Sequence, residues 1–313
     1  MSYAEDNKRL AKNTLFLYFR TAIVMLISLY VSRVVLNVLG VEDYGIYNVV
    51  GSIVVLFSFL NAAMTQASQR FITFELGKKD KAQLQKVFIT SLNTQIIIVI
   101  AVVFLAETLG LWFLNYKLNI PPERLVAANW VYQFSIITFS VNVLRVPYEA
   151  TVIAYEKMSF FAYASIIDAV LKLGTVYLIK VILFDKLISY SGLLFLIALT
   201  MFFVYKIYCN SKFGISKYRL IWDAFLLKKL LKYSGWSLFG SFSNVATQSG
   251  FIFLINIFYG VASNAAMGIA SQVSQAMSSI ISGFQTSSRP QIVKSYANRE
   301  EKRFFELITR TSK

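Results

Sequence analysis

Histidine is absent from these 313 residues, and cysteine occurs once, as Cys209. The first absence excludes an imidazole proton relay and any histidine-ligated metal. The second excludes an internal disulfide and a multi-cysteine metal cluster, so no cofactor or metal is expected. Charge is scarce too, at 15% of residues, while 57% are hydrophobic. Soluble domains carry about 25% charged residues, so a soluble enzyme is disfavoured. A lipid-facing β-barrel does not fit, because the apolar runs extend for twenty residues or so without alternating every second position.

What is abundant are apolar stretches of helical length, each near the ~20 residues that cross a bilayer. The first span is expected from about Thr14 to Leu39, stopped by Gly40 in the left-handed conformation. The second follows Asp43, read as its N-cap, and continues to about Glu75. A third covers about Lys86 to Leu114. The fourth starts near Glu123 and meets Pro147, where a kink or an end is expected. The fifth and sixth lie in the stretches around Ser159–Ile182 and Leu187–Tyr208. A basic connector (217–233) is predicted to lie in the membrane plane. A seventh span (about Ser234 to Phe258) and an eighth (about Ser263 to Tyr296) follow, with the start of a ninth at the C-terminus. The fold class is therefore all-α integral membrane.

Lys and Arg number 31 against 16 Asp and Glu, a net charge of +15. Placing the N-terminus inside puts 24 of the 31 in cytoplasmic segments, four outside and three (Arg20, Arg33 and Lys172) within spans. This asymmetry records membrane topology. It removes the need for a nucleic-acid partner, and the partners expected are membrane lipids and a transported molecule. The polar N-terminus reads as a cytoplasmic lead-in to a retained helix.

Sliding the chain by about 220 residues superposes two stretches with the same order of helix stop, link and cap. Gly40-Val41-Glu42-Asp43 falls on Gly260-Val261-Ala262-Ser263. Six spans separate the copies, so both face the same way, as in transporters built from parallel repeats. The expected division is an N-lobe at 1–216, the connector at 217–233 and a partial C-lobe at 234–313. On this reading the sequence is an incomplete version of a longer protein.

Three stretches carry a family resemblance: Leu39-Gly40-Val41-Glu42-Asp43-Tyr44-Gly45-Ile46-Tyr47, Pro147-Tyr148-Glu149-Ala150 with Ala154-Tyr155-Glu156-Lys157, and Arg289-Pro290-Gln291-Ile292. Together they resemble Wzx-type polysaccharide-repeat-unit flippases of the multidrug/oligosaccharidyl-lipid/polysaccharide (MOP) exporter superfamily. The resemblance implies a MATE-like two-lobe helix bundle of twelve to fourteen helices. It also implies alternating-access flipping of undecaprenyl-diphosphate-linked oligosaccharide across the bacterial inner membrane, for O-antigen, capsule or exopolysaccharide synthesis. Proton or sodium coupling would accompany it. The alternatives are a MATE-like small-molecule exporter and a membrane-embedded polymerase or transferase. The absence of a carboxylate cluster and of long external loops argues against an enzyme.

Charged and polar residues inside the spans are the candidate machinery. Asp168 and Lys172, four apart on one helical face, form either a coupling-ion site centred on Asp168 or a structural pair. Arg20 and Arg33 point about 220° apart around the first span, so they cannot both face one lumen. Either suits a diphosphate through its planar donor fork, or snorkels to the surface. Arg145 is placed near the inner surface. In the eighth span Gly268, Gln272, Gln275, Ser279, Ser282 and Thr286 share a face, as do Ser237, Ser241, Asn244 and Gln248 in the seventh. A weaker counterpart is Asn61, Thr65 and Ser68. Such faces line water or pair with other helices. Substrate contacts are thus assigned to Arg20, Arg33, Lys172, Asn244, Gln248, Gln272 and Gln275, and ion coupling to Asp168.

Overall fold

The computed structural model describes residues 3–55, 57–78, 80–116, 120–215 and 223–230, scattered positions between 232 and 286, and residues 288–298 and 301–311. The described regular structure is helical: α1 (Tyr3–Val55), α2 (Ser58–Lys78), α3 (Lys81–Leu105), α4 (Leu111–Tyr116), α5 (Leu125–Ala154), α6 (Met158–Ile179), α7 (Lys186–Lys212) and α8 (Glu301–Thr311). Five stretches are long and apolar enough to cross a membrane: Leu15–Gly40, Lys81–Tyr116, Pro122–Ala154, Met158–Ile179 and Lys186–Lys212. Many of their large apolar side chains face outward, among them Leu15, Phe19, Ile100, Phe104 and Leu178. In water that surface would aggregate; against acyl chains it is the expected exterior.

Punctuation by Gly40 occurs where the sequence places it, in a different form. Its backbone has φ 81 and ψ 170, a positive φ with extended ψ, and helix resumes at once. There is thus no two-residue link, and Asp43 lies inside the second arm of α1 with its carboxylate held by Arg124. The expected second span is also interrupted, at a turn in which Phe57 N–H donates to the Val54 carbonyl. It is absent from the five spanning stretches because α2 carries Asn61, Gln66, Gln69, Arg70 and Glu75 among its apolar residues.

The third helix starts at Lys81, five residues earlier than expected, because the Asp80 carboxylate caps it by accepting from Gln83 N–H at 3.0 Å. A π-helical turn, Ala106–Gly110, then joins α3 to α4. The Tyr132 hydroxyl donates to the Ala106 carbonyl there at 2.8 Å. A 3₁₀ turn, Pro122–Arg124, leads into α5. That helix runs through Pro147 to Ala154. Proline removes one ladder bond, yet Pro147 is buried, and the packing of neighbouring helices around it carries α5 past that point. α7 is capped by Asp185, which accepts from the Leu187 and Ile188 amides.

α5 is the central post, touching α1, α2, α3, α6 and α7, while α1 packs chiefly on α6. Apolar side chains fill its two ends separately. Phe88, Tyr148, Met158, Met201 and Tyr205 pack near its C-terminus, and Ile46, Val50, Leu114, Val131 and Tyr132 near its N-terminus. The expected seventh and eighth spans fall largely outside the described residues. The described part of the C-terminal region is helix at 288–297, followed by α8. The connector's described portion begins where Asp223 caps the Leu226 amide. It buries Leu226 and Leu230 and exposes Phe225, Lys228 and Lys229.

Candidate functional site

One face of α5 is polar for four turns. Ser135, Thr138, Asn142, Arg145 and Glu149 recur at steps of three, four, three and four, which keeps them in line on a helix. All five are half-buried, the exposure of side chains that border a cavity rather than fill a core. Toward the α5 N-terminus the stripe borders a cavity of about 230 Å³ shared with Tyr47 of α1 and Ser191 of α7. Toward the C-terminus it enters a cluster of charges.

That cluster is assembled from four helices. The Arg20 guanidinium of α1 lies 4.6 Å from the centroid of the Phe161 ring on α6. Phe161 and Asp168 are seven residues apart, two turns of helix, so both face the same neighbour. Glu149, Tyr205 and Asp168 are the groups whose charge or dipole acts on Arg20. Arg145 Nε sits 3.6 Å from Glu149 Oε2, and its guanidinium carbon is 5.6 Å from the Tyr205 ring centroid. Lys172 Nζ reaches Asp168 Oδ2 at 2.7 Å. Tyr205 is buried, and the Nε atoms of Arg20 and Arg145 are buried without a hydrogen-bond partner.

Formal charge decides what the cluster favours. Three cations face two carboxylates, leaving one positive charge. Counted along the helices at ~1.5 Å per residue, these groups lie roughly 8–15 Å inside the ends of their spans, within the ~30 Å apolar layer. A charge at mid-span costs about 2.5–3.5 kcal/mol even on lenient insertion scales. Pairing offsets much of that, while neither arginine Nε makes a hydrogen bond and only that of Arg145 has a carboxylate within ion-pair distance.

A second set of buried polar groups lies between α2 and α3. Ser68 and Gln69 on α2 and Thr90, Ser91 and Gln95 on α3, two helices that pack on each other, are all buried. Ser68 Oγ, Gln69 Nε2, Thr90 Oγ1, Ser91 Oγ and both amide atoms of Gln95 have no hydrogen-bond partner. Among the described residues, no group of three or more Cys, Asp and Glu side chains is gathered to hold a metal ion.

The structure therefore brings Arg20, Asp168 and Lys172 into one neighbourhood. Arg33 stands exposed elsewhere on α1, as the angular separation of the two arginines requires. Asn244, Gln248, Gln272 and Gln275 lie outside the described residues, as does the side chain of Asn61. Thr65 is half-buried and Ser68 fully so. Arg145 is not at the surface end of its helix: continuation through Pro147 places it nine residues before Ala154. Glu149 and Tyr205 were missed as site residues, although Glu149 follows Arg145 at the same four-residue spacing that drew attention to Asp168 and Lys172.

No protein-family profile and no curated protein matches the chain in sequence. Solved structures do match in shape. One is the outward-facing conformation of a multidrug-resistance MATE family transporter of the MOP superfamily, with a TM-score of 0.82 and 13% identity over 97% of this chain and 68% of that one. A MOP superfamily transporter from Pyrococcus furiosus, described by the reversed polarity of its binding pocket, gives 0.79 and 14% over the same shares. A Vibrio cholerae MATE transporter gives 0.76 and 14% over 97% and 69%. The chain has the all-helical MATE/MOP transporter fold and is a multi-pass membrane protein.

Proposed function

We propose that this protein carries an anionic, lipid-linked oligosaccharide across the membrane by alternating access. The supporting observation is the α5 stripe, which runs from hydroxyls and an amide into a charge cluster with one cation in excess. Hydroxyl and amide groups suit sugar hydroxyls. Arg20 and Arg145 offer planar donor sets to phosphate oxygens, and do so where low dielectric strengthens the attraction. Asp168, held by Lys172, is the site where a proton or sodium ion exchanges partners with the cluster. The N-terminus lies in the cytoplasm of a bacterial inner-membrane protein, so the cluster opens to the inner leaflet, where the lipid-linked substrate is made. Residues 1–216 form one lobe and 234–313 contribute to the other, joined by the connector at 217–233.

The test is to produce the chain in cells lacking their own oligosaccharide flippase and measure surface polysaccharide. Wild-type protein is expected to restore it, and Arg20→Gln with Arg145→Gln is expected to lower it at least about tenfold at equal membrane abundance. Wild-type output from that double variant would overturn the assignment.

A second reading is export of small cations. The Glu149 and Asp168 carboxylates favour it, because each lies close enough to Arg20 to act on its charge. A chain that expels cationic dyes and leaves surface polysaccharide unrestored would select this reading.

A further inference from the structure

α5 ends in a hydrogen-bonding pattern that normally calls for glycine. Glu156 N–H donates to the Ile153 carbonyl at 2.9 Å and Lys157 N–H to the Val152 carbonyl at 3.0 Å. These are the paired bonds of a Schellman motif, with Glu156 at the left-handed position. Its φ is 57, and among the described residues it is the non-glycine residue with positive φ. Such a conformation is strained for an L side chain, and strain of this kind persists where the side chain has a task.

The side chain is engaged over a long sequence distance. Its carboxylate is 4% exposed and accepts from Lys294 Nζ at 2.8 Å and from Gln291 Nε2 at 3.3 Å. Those donors sit 138 and 135 residues away, on the helix at 288–297. The same helix presses on the end of α2. A Cβ on Gly77 would stand 2.8 Å from Ala297 Cβ and 3.2 Å from Lys294 Cα, so only glycine permits this approach. Ser288, Gln291 and Ser295 are buried there.

We infer that Glu156 is a latch that closes this end of the molecule by holding helix 288–297 against α2 and the α5–α6 turn, and that its release opens the seam. The inference rests on the transporter fold and holds whichever cargo is carried. A charge-assisted grip centred on one carboxylate is suited to a reversible contact, being stronger than a neutral hydrogen bond.

A cysteine reporter tests it directly. In the full chain with Cys209→Ser, Ser295→Cys places a near-isosteric thiol in the buried seam, and its reaction with a maleimide is followed in lipid nanodiscs. Glu156→Gly removes the carboxylate while relieving the backbone strain, so this variant is expected to fold. Labelling is expected to accelerate about tenfold, the factor associated with losing one charge-assisted hydrogen bond. Glu156→Lys combined with Lys294→Glu is expected to return the rate toward the parent. Unchanged labelling in a Glu156→Gly protein of normal elution and melting temperature overturns the latch. So does a charge-swapped protein, equally well folded, that labels as fast as Glu156→Gly. Loss of polysaccharide transport in other assays has no bearing on this rate, so the two readings fail separately.

Discussion

Removing Arg124 is expected to loosen the end of the helical bundle opposite the Glu156 seam. Its guanidinium joins three segments. Nε and Nη2 donate to the Asp43 carboxylate at 2.9 and 2.7 Å, and Nη1 donates to Asp185 Oδ2. Asp185 also caps α7, so one side chain ties the second arm of α1 and the start of α7 to the start of α5. The three side chains are 19–29% exposed, which places the network between a surface pair and a buried one. Exposed pairs are worth about 0–1 kcal/mol and breaking a buried pair costs about 3–5 kcal/mol, so Arg124→Met should cost about 2 kcal/mol. For a domain of 150–250 residues that corresponds to roughly 4–8 °C in melting temperature. The acid dependence is a second, sharper reading. Burial pushes the Asp185 carboxyl upward, but the Arg124 hydrogen bond and the Ile188 and Leu187 amides outweigh it and hold the group below its ordinary value. Stability from a depressed carboxyl is present above the unfolded value, about 3.9, and is lost as pH falls through the folded one. Melting temperatures of parent and Arg124→Met, followed by tryptophan fluorescence in detergent, should therefore differ most near neutral pH and converge in acid below about pH 4. A difference under 1 °C at pH 7, or one that persists unchanged in acid, would refute the network as a stabilising element.

Three other outcomes follow from the same geometry. Gly40→Ala should destabilise by about 1–2 kcal/mol through backbone strain alone, because φ is 81 and a Cβ there meets no atom within 4 Å. Thermal melting checks it, and a neutral result would mean that the bend relaxes without that φ. Tyr132→Phe should cost about 1–2 kcal/mol, since the hydroxyl is the side-chain donor to the Ala106 carbonyl at the π-helical turn. Faster amide exchange across Ala106–Gly110 would locate the effect. Pro147→Ala should leave stability unchanged or raise it by up to about 2 kcal/mol, the restored helix bond outweighing the lost ring packing. Destabilisation beyond 2 kcal/mol in the melting curve would show that ring packing dominates.

How far the sequence is legible depends on the range over which each feature is decided. The spanning helices are local: runs such as Leu15–Gly40 and Lys186–Lys212 are long, apolar and uncapped inside, so composition suffices to find them. Gly40 is legible as punctuation because only glycine tolerates positive φ at little cost. The caps at Asp80 and Asp185 are equally local, but the neighbouring lysines made α3 look as though it began five residues later. Of the two outcomes expected at Pro147, a helix end does not occur, because a proline rule derived for isolated helices omits the five helices that pack on α5. The contacts that assemble the site are another matter. Arg124 meets Asp43 across 81 residues and Asp185 across 61, and Glu156 meets Lys294 across 138. No periodicity encodes such pairings. Glu149 shows the boundary between the two cases. Its four-residue step from Arg145 was visible and marks an ion pair, whereas its place beside Arg20 depends on how α1 and α5 pack. The polar stripe of α5 follows the same logic: the steps from Ser135 to Glu149 can be counted along the chain, but only packing decides whether that face meets lipid or the interior. Since all five residues are half-buried while Ile137, on a different face, is exposed, the stripe turns inward. An inward polar face ending in charge is costly to maintain in a membrane helix unless something polar uses it.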